Sequence, residues 1–183
     1  MDYEAVYNEV YKTNEGYGTG FCTPIEDMIV KKYKGKAPKV LDVGCGHGKF
    51  LPKLHKRLPK ARLYGLDVHV PDEIPDWMTF IHGVAWEPSP DFTEYDVIVS
   101  FDFLEHLMPC DIERTLMAWN EALVHGGDIL SRICPVPGCV KPPEGLDNLH
   151  CTVKPIWWWL AQFREIFPNS RDIPGDIIIT KKV

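Results

Sequence analysis

Apolar and polar positions along this chain follow two rhythms. Short, nearly unbroken apolar runs, "KVLDVG", "ARLYGLDV", "MTFIHGV", "YDVIVSFD" and "DILSRI", read as strands buried on both faces. Between them lie stretches with the helical period. "GKFLPKLHKRLP" is one, with Pro52 in its first turn. "DIERTLMAWNEALVHGG" is another, with Ile112, Leu116, Trp119 and Leu123 on one stripe and a glycine pair as its predicted end. "KPIWWWLAQFREIF" predicts a last helix and "DIIITKK" a closing strand. Strands alternating with helices predict a three-layer α/β sandwich around a doubly wound, mostly parallel sheet.

The first 35 residues precede that alternation. Tyr3, Tyr7 and Tyr11 stand four apart, which is helical spacing, and "NEGYGTG" then breaks the pattern. "TPIEDMIVKKYKG" predicts a second helix, capped by Thr23, opened by Pro24, with Glu26 reaching back and Gly35 as the stop. Two later connections stand out. "HVPDEIPDWM", between the second and third strands, has little room for a helix. Residues 134–153 hold four prolines and two glycines without periodicity, and a long loop of that kind usually closes or lines a site. One domain is therefore expected, made of a helical lid segment (1–35), a core (36–133), a substrate-side loop (134–153) and a closing helix and strand (154–183). The single strand at the C-terminal end predicts six strands rather than seven.

Composition narrows the classes of function. The chain of 183 residues is 45% hydrophobic and carries a net charge of −6. No apolar run approaches a membrane span, and the acidic, polar "MDYEAVYNEV" is unlike a secretory signal, so a cytoplasmic protein is expected. The acidic balance argues against a nucleic-acid partner. The basic residues between Lys31 and Arg62 read as the solvated flank of a helix. Six cysteines include no CxxC pair; Cys134, Cys139, His150 and Cys151 are too loosely spaced to predict zinc, and reduced thiols are expected.

The chemistry concentrates in "KVLDVGCGHGKFL". Gly44, Gly46 and Gly48 follow a strand and open a helix, at the edge of the sheet where doubly wound folds bind ligands. A dinucleotide dehydrogenase would place a third glycine at Lys49, which weighs against a nicotinamide oxidoreductase. Asp42 precedes the loop. Asp67, at the end of the second strand in "LYGLDV", is placed to accept both hydroxyls of a ribose.

"VLDVGCGHGKFL", "LYGLDV", "YDVIVSFDFLEHL" and "EALVHGGDILSRI" together resemble the class I S-adenosylmethionine-dependent methyltransferases, over roughly half the chain. The resemblance implies that Asp42, Gly44, Cys45, Gly46 and Gly48 surround the methionine part of S-adenosylmethionine, and that Asp67 and Val68 hold the ribose. Ser100 and Phe101 would face the methionine amine. Val84 stands where family members often carry an acid for the adenine, so backbone groups of Ala85 or Trp86 would serve instead.

Methyl transfer is an in-line displacement that needs alignment more than a fixed catalytic triad. Asp102 and His106 are the expected catalytic side chains, and the acceptor is expected to be a small molecule. Some quinone-pathway and small-RNA 3′-end methyltransferases bind a divalent metal through ExxEH and a later histidine. The counterparts here are Asp102, Glu105, His106 and His150, with the shorter Asp102 weakening the match, and no metal is expected. Tyr17, His150 and Trp157 are the expected substrate or lid contacts. A cofactor-binding protein without catalysis is the remaining rival.

Overall fold

The computed structural model describes residues 1–14, 17–18, 23–87 and 93–183. The first helix, α1 (Tyr3–Thr13), is capped by the Asp2 carboxylate, which accepts from the Ala5 amide at 3.0 Å. It buries Tyr3, Tyr7 and Val10, the face that its spacing implies. α2 (Thr23–Tyr33) leads into β1 (Lys39–Val43), α3 (Phe50–Arg57), β2 (Arg62–Asp67), β3 (Met78–His82) and β4 (Tyr95–Phe101). A 3₁₀ turn (Leu104–His106), α4 (Pro109–Ala122), β5 (Leu123–Arg132), α5 (Ile156–Ile166), β6 (Arg171–Ile173) and β7 (Ile177–Lys181) complete the order.

The strands form one sheet in the order β3-β2-β1-β4-β5-β7-β6. β1 to β5 pair in parallel, and β7 runs antiparallel beside β5. The sheet thus has seven strands, against the six expected. The missing one is β6, three residues paired antiparallel with β7. Its residues are exposed or half-buried and carry no apolar alternation, so the pattern gave no signal.

A second difference lies at "EALVHGG". The helix stops at Ala122, and Leu123 already belongs to β5, paired with Tyr95. Gly126 and Gly127 exchange backbone hydrogen bonds with Lys182 at 2.9 and 3.0 Å. The glycine pair therefore lies in an extended segment captured by the C-terminal strand rather than capping a helix.

Two apolar layers flank the sheet. On one face Leu41, Val43, Ile98 and Ile129 pack with Tyr3 and Tyr7 of α1, Leu116 and Trp119 of α4, and Trp159 and Phe163 of α5. On the other, Val40, Val97, Val99 and Leu130 meet Ile25 and Ile29 of α2 and Phe50 and Leu54 of α3. Each of the largest side chains contributes roughly 1.5–3 kcal/mol of transfer free energy. As the short connection implied, no helix joins β2 to β3. The result is a crevice at the carboxyl ends of β1, β2 and β4, with α1 lying along its rim.

Candidate active site

A cavity of about 460 Å³ opens at that edge. Gly44, in the turn after β1, lines it, whereas Asp42, Cys45, Gly46 and Gly48 lie behind that lining. Gly44 and Gly46 have φ of 72° and 51°, a left-handed backbone that glycine takes without strain. Close contacts also exclude a side chain: a Cβ at Gly44 would stand 2.3 Å from the Phe103 ring, and one at Gly46 would stand 2.6 Å from the Gly18 carbonyl. The amides of Gly44 and Cys45 both donate to the Leu66 carbonyl, at 2.8 and 3.1 Å, fastening the loop to β2. Cys45 is buried, its sulfur filling the space over Gly65.

Asp67 ties the site together. Its Oδ2 accepts from the Gly46 amide at 2.8 Å and its Oδ1 from the His69 amide at 2.9 Å. Burial raises its pKa, and these amide donors oppose the rise. Asp42 is 2% exposed and its Oδ1 has no hydrogen-bond partner. Burial, and then the charge of Asp67, pushes the Asp42 pKa well up. A buried carboxylate oxygen left without a donor is costly unless a ligand supplies one.

Val68, Ala85, Trp86 and Phe101 line the cavity, as does Val84. Ser100 does not: it is buried and donates to the Ser131 hydroxyl at 2.9 Å. Asp102 lines the wall with φ of 47°, but its carboxylate is held by Arg132, Nε to Oδ1 at 2.9 Å and Nη2 to Oδ2. Both oxygens of this expected catalytic carboxylate are thus engaged by one guanidinium. For Trp157 the expectation is corrected: it is 68% exposed and lines no part of the cavity. Helix periodicity turns Trp159 into the core instead, and Trp158 packs edge-on against it.

Glu105, His106 and His150 converge, one ligand atom of each lying within 4.8 Å of the others. Among the described residues no cysteine joins this group, and Asp102 is outside it. His106 Nδ1 lies 2.8 Å from the Tyr7 hydroxyl and 3.1 Å from the Leu149 carbonyl. A carbonyl only accepts, so Nδ1 carries the proton and Nε2 keeps its lone pair. The same reasoning applies to His150, whose Nδ1 lies 2.6 Å from the Val136 carbonyl. Burial lowers the His106 pKa to about 3, with His150 adding to the fall. Glu105 is fully buried; its Oε1 accepts from the Cys134 amide at 3.0 Å and its Oε2 has no partner. Burial raises its pKa to about 7.

The tyrosines of α1 supply the remaining wall. Tyr3, Tyr7 and Tyr11 line the cavity together with Tyr17. Tyr11 stacks on His69 with centroids 4.2 Å apart, and Tyr17 stands edge-on to His106. Of these four, sequence reasoning named only Tyr17 as a contact; the spacing of the other three was the signal that could have found them. Glu15, Gly16, Thr19 and Gly20 of "NEGYGTG" lie outside the described residues.

A parallel sheet with an antiparallel C-terminal pair, and a glycine loop tied to a strand-end aspartate, define a Rossmann-like α/β fold of the methyltransferase type. The model of a methyltransferase domain family matches residues 21–164, and the chain belongs to that family. No curated protein matches the sequence. Among solved structures, PigF with SAH superposes with a TM-score of 0.67 at 20% identity, over 97% of this chain and 60% of that one. An O-methyltransferase family protein from Burkholderia thailandensis gives 0.61 at 17% identity, over 87% of this chain and 55% of that one. The 1,6-didemethyltoxoflavin-N1-methyltransferase of Burkholderia thailandensis, with bound 1,6-didemethyltoxoflavin and S-adenosylhomocysteine, gives 0.66 at 12%, over 98% and 84%. This chain thus spans less than two thirds of the length of the first two. At these identities the likeness is one of fold.

Proposed function

We propose that the chain is an S-adenosylmethionine-dependent methyltransferase acting on a small-molecule acceptor. The observation that carries this reading is Asp67, which joins the glycine loop to the end of β2 on the wall of the cavity. The orphaned Oδ1 of Asp42 and the exposure of Gly44 to the cavity support the same reading. In this reading Asp67 holds the ribose hydroxyls, Asp42 and the glycine loop hold the methionine end, and Ala85 and Trp86 flank the adenine. S-adenosylmethionine supplies, when bound, a methyl group on a sulfonium sulfur, open to in-line attack.

The rest belongs to the chain. α1 and the loop 134–153 cover the crevice and exclude water. His106 is neutral at physiological pH and its Nε2 accepts a hydrogen bond that orients the acceptor, while Tyr7 and the Leu149 carbonyl fix its ring. Residues 1–35 act as a lid, 36–133 as the cofactor core, 134–153 as the substrate-side loop and 154–183 as the closure of one domain. No helix among the described residues is long and apolar enough to cross a membrane. A cytoplasmic location is part of the same reading.

A second reading is favoured by the convergence of Glu105, His106 and His150. Two imidazole nitrogens and a carboxylate oxygen suit a divalent ion that would polarise an acceptor hydroxyl. Calorimetry on the whole chain tests the first reading. S-adenosylmethionine and S-adenosylhomocysteine are expected to bind and NAD is not; binding of NAD alone would overturn it.

A further inference from the structure

Among the described residues lining the cavity, none is a lysine or an arginine. Two arginines reach the wall from behind, and each is consumed there. Arg132 is paired with Asp102. Arg114 is paired with Asp111 at 2.6 Å and stacks on the Trp86 ring at 3.9 Å. Of the acidic residues on the wall, Asp102 is matched by Arg132 and Asp67 is held by the Gly46 and His69 amides.

The end of the cavity away from the glycine loop is built from α1, the 3₁₀ turn and the loop 134–153. Tyr3, Tyr7, Leu107, Val140 and Leu149 give it an aromatic and aliphatic surface. Tyr7 and Tyr17 lie nearly parallel, with centroids 6.3 Å apart and planes 24° apart. Aromatic faces carry negative charge density, so they attract planar apolar rings and repel anions. Burying a carboxylate or phosphate here would leave it without a lysine or arginine partner among the described lining residues.

We infer that the methyl acceptor is a planar aromatic compound carrying no anionic group. The inference rests on the methyltransferase reading above and deepens it. It separates this pocket from those that hold nucleotides, phosphorylated sugars or aromatic acids through a fixed lysine or arginine. The source of discrimination is the absence of a partner charge, so a single added cation should reverse it.

The test is calorimetry on the full chain saturated with S-adenosylhomocysteine, using two ring-matched probes, 2-naphthol and 3-hydroxy-2-naphthoate, at neutral pH. We expect 2-naphthol to bind at least tenfold more tightly. Val140→Lys, at a half-buried lining position, should narrow that preference at least threefold by strengthening the carboxylate probe. Equal affinities, tighter binding of the naphthoate, no saturable binding of either probe, or an unchanged preference in Val140→Lys would each overturn the inference. In those cases S-adenosylhomocysteine would still bind. Its failure to bind would instead overturn the underlying methyltransferase reading, and this inference with it.

Discussion

The Tyr7 hydroxyl lies 2.8 Å from Nδ1 of His106, joining a helix at the start of the chain to the turn that follows β4. The bond holds the imidazole from the side opposite its free nitrogen. Tyr7→Phe keeps the ring packing and removes only the oxygen. The expected cost to folding is about 1 kcal/mol, the usual size of one such bond. The expected loss in kcat is several-fold or more, because the ring loses a restraint. Melting curves and turnover with any methylated acceptor would show it. A loss in stability with kcat unchanged would make the bond purely structural.

Asp67→Ala removes both the loop anchor and the proposed ribose acceptor. Binding of S-adenosylhomocysteine should weaken by roughly 1–3 kcal/mol, the range for charge-assisted hydrogen bonds. Calorimetry measures this directly, and unchanged affinity would displace the ribose from this residue.

Gly46→Val tests the turn after β1. The new side chain would need φ of 51° and would meet the Gly18 carbonyl and the Tyr11 hydroxyl. Strain of about 1–2 kcal/mol is expected from the left-handed backbone alone. Cofactor affinity should fall below detection in a protein whose circular dichroism stays native-like. Normal binding would make the loop structural only.

Glu105 gives a pH signature. Its folded pKa, raised to about 7, lies above the ordinary 4.5. The folded state therefore keeps the proton while the unfolded chain releases it. The stabilisation is complete below pH ~4.5 and is lost as pH rises through about 7, by roughly 3 kcal/mol in all. Glu105→Gln lacks this dependence. Between pH 5 and pH 8 the wild type should lose stability relative to that variant, as paired denaturation curves would reveal; parallel curves would contradict it.

Chelation distinguishes the two readings of the histidine pair. Chelator-treated protein is expected to bind S-adenosylhomocysteine as well as untreated protein does. Tight, stoichiometric Mn²⁺ binding, lost in both Glu105→Ala and His150→Ala, would promote the metal-dependent reading.

Much of this architecture was legible because its parallel strands are buried on both faces and so read as apolar runs. β1, β2 and β4 stand out in that way, and their carboxyl ends locate the crevice. β6 escaped because a short, exposed edge strand has no face to pattern. The end of α4 was misjudged because a glycine pair signals a helix stop locally, whereas pairing of Gly126 and Gly127 with Lys182 is a contact across the chain. In the site, Asp67 was readable from its place at a strand end. The engagement of Asp102 by Arg132 was not, since the two are 30 residues apart and meet only when β4 and β5 pair. Trp157 misled for a simpler reason: three adjacent tryptophans cannot all turn inward, and sequence does not say which one faces out.

The anchoring of α1 also bears on time. One wall of the cavity is clipped to the body of the fold by Tyr7 on His106 and by the Tyr3 hydroxyl, which accepts from the Met108 amide and donates to Asp111. These bonds do not involve the glycine loop, which the same helix meets separately through Tyr11 beside Gly46 and near the end of β2 through Asn8 on His69 at 2.7 Å. Weakening the clips would therefore speed the arrival and departure of a ligand. How long a product lingers would be decided at the first helix.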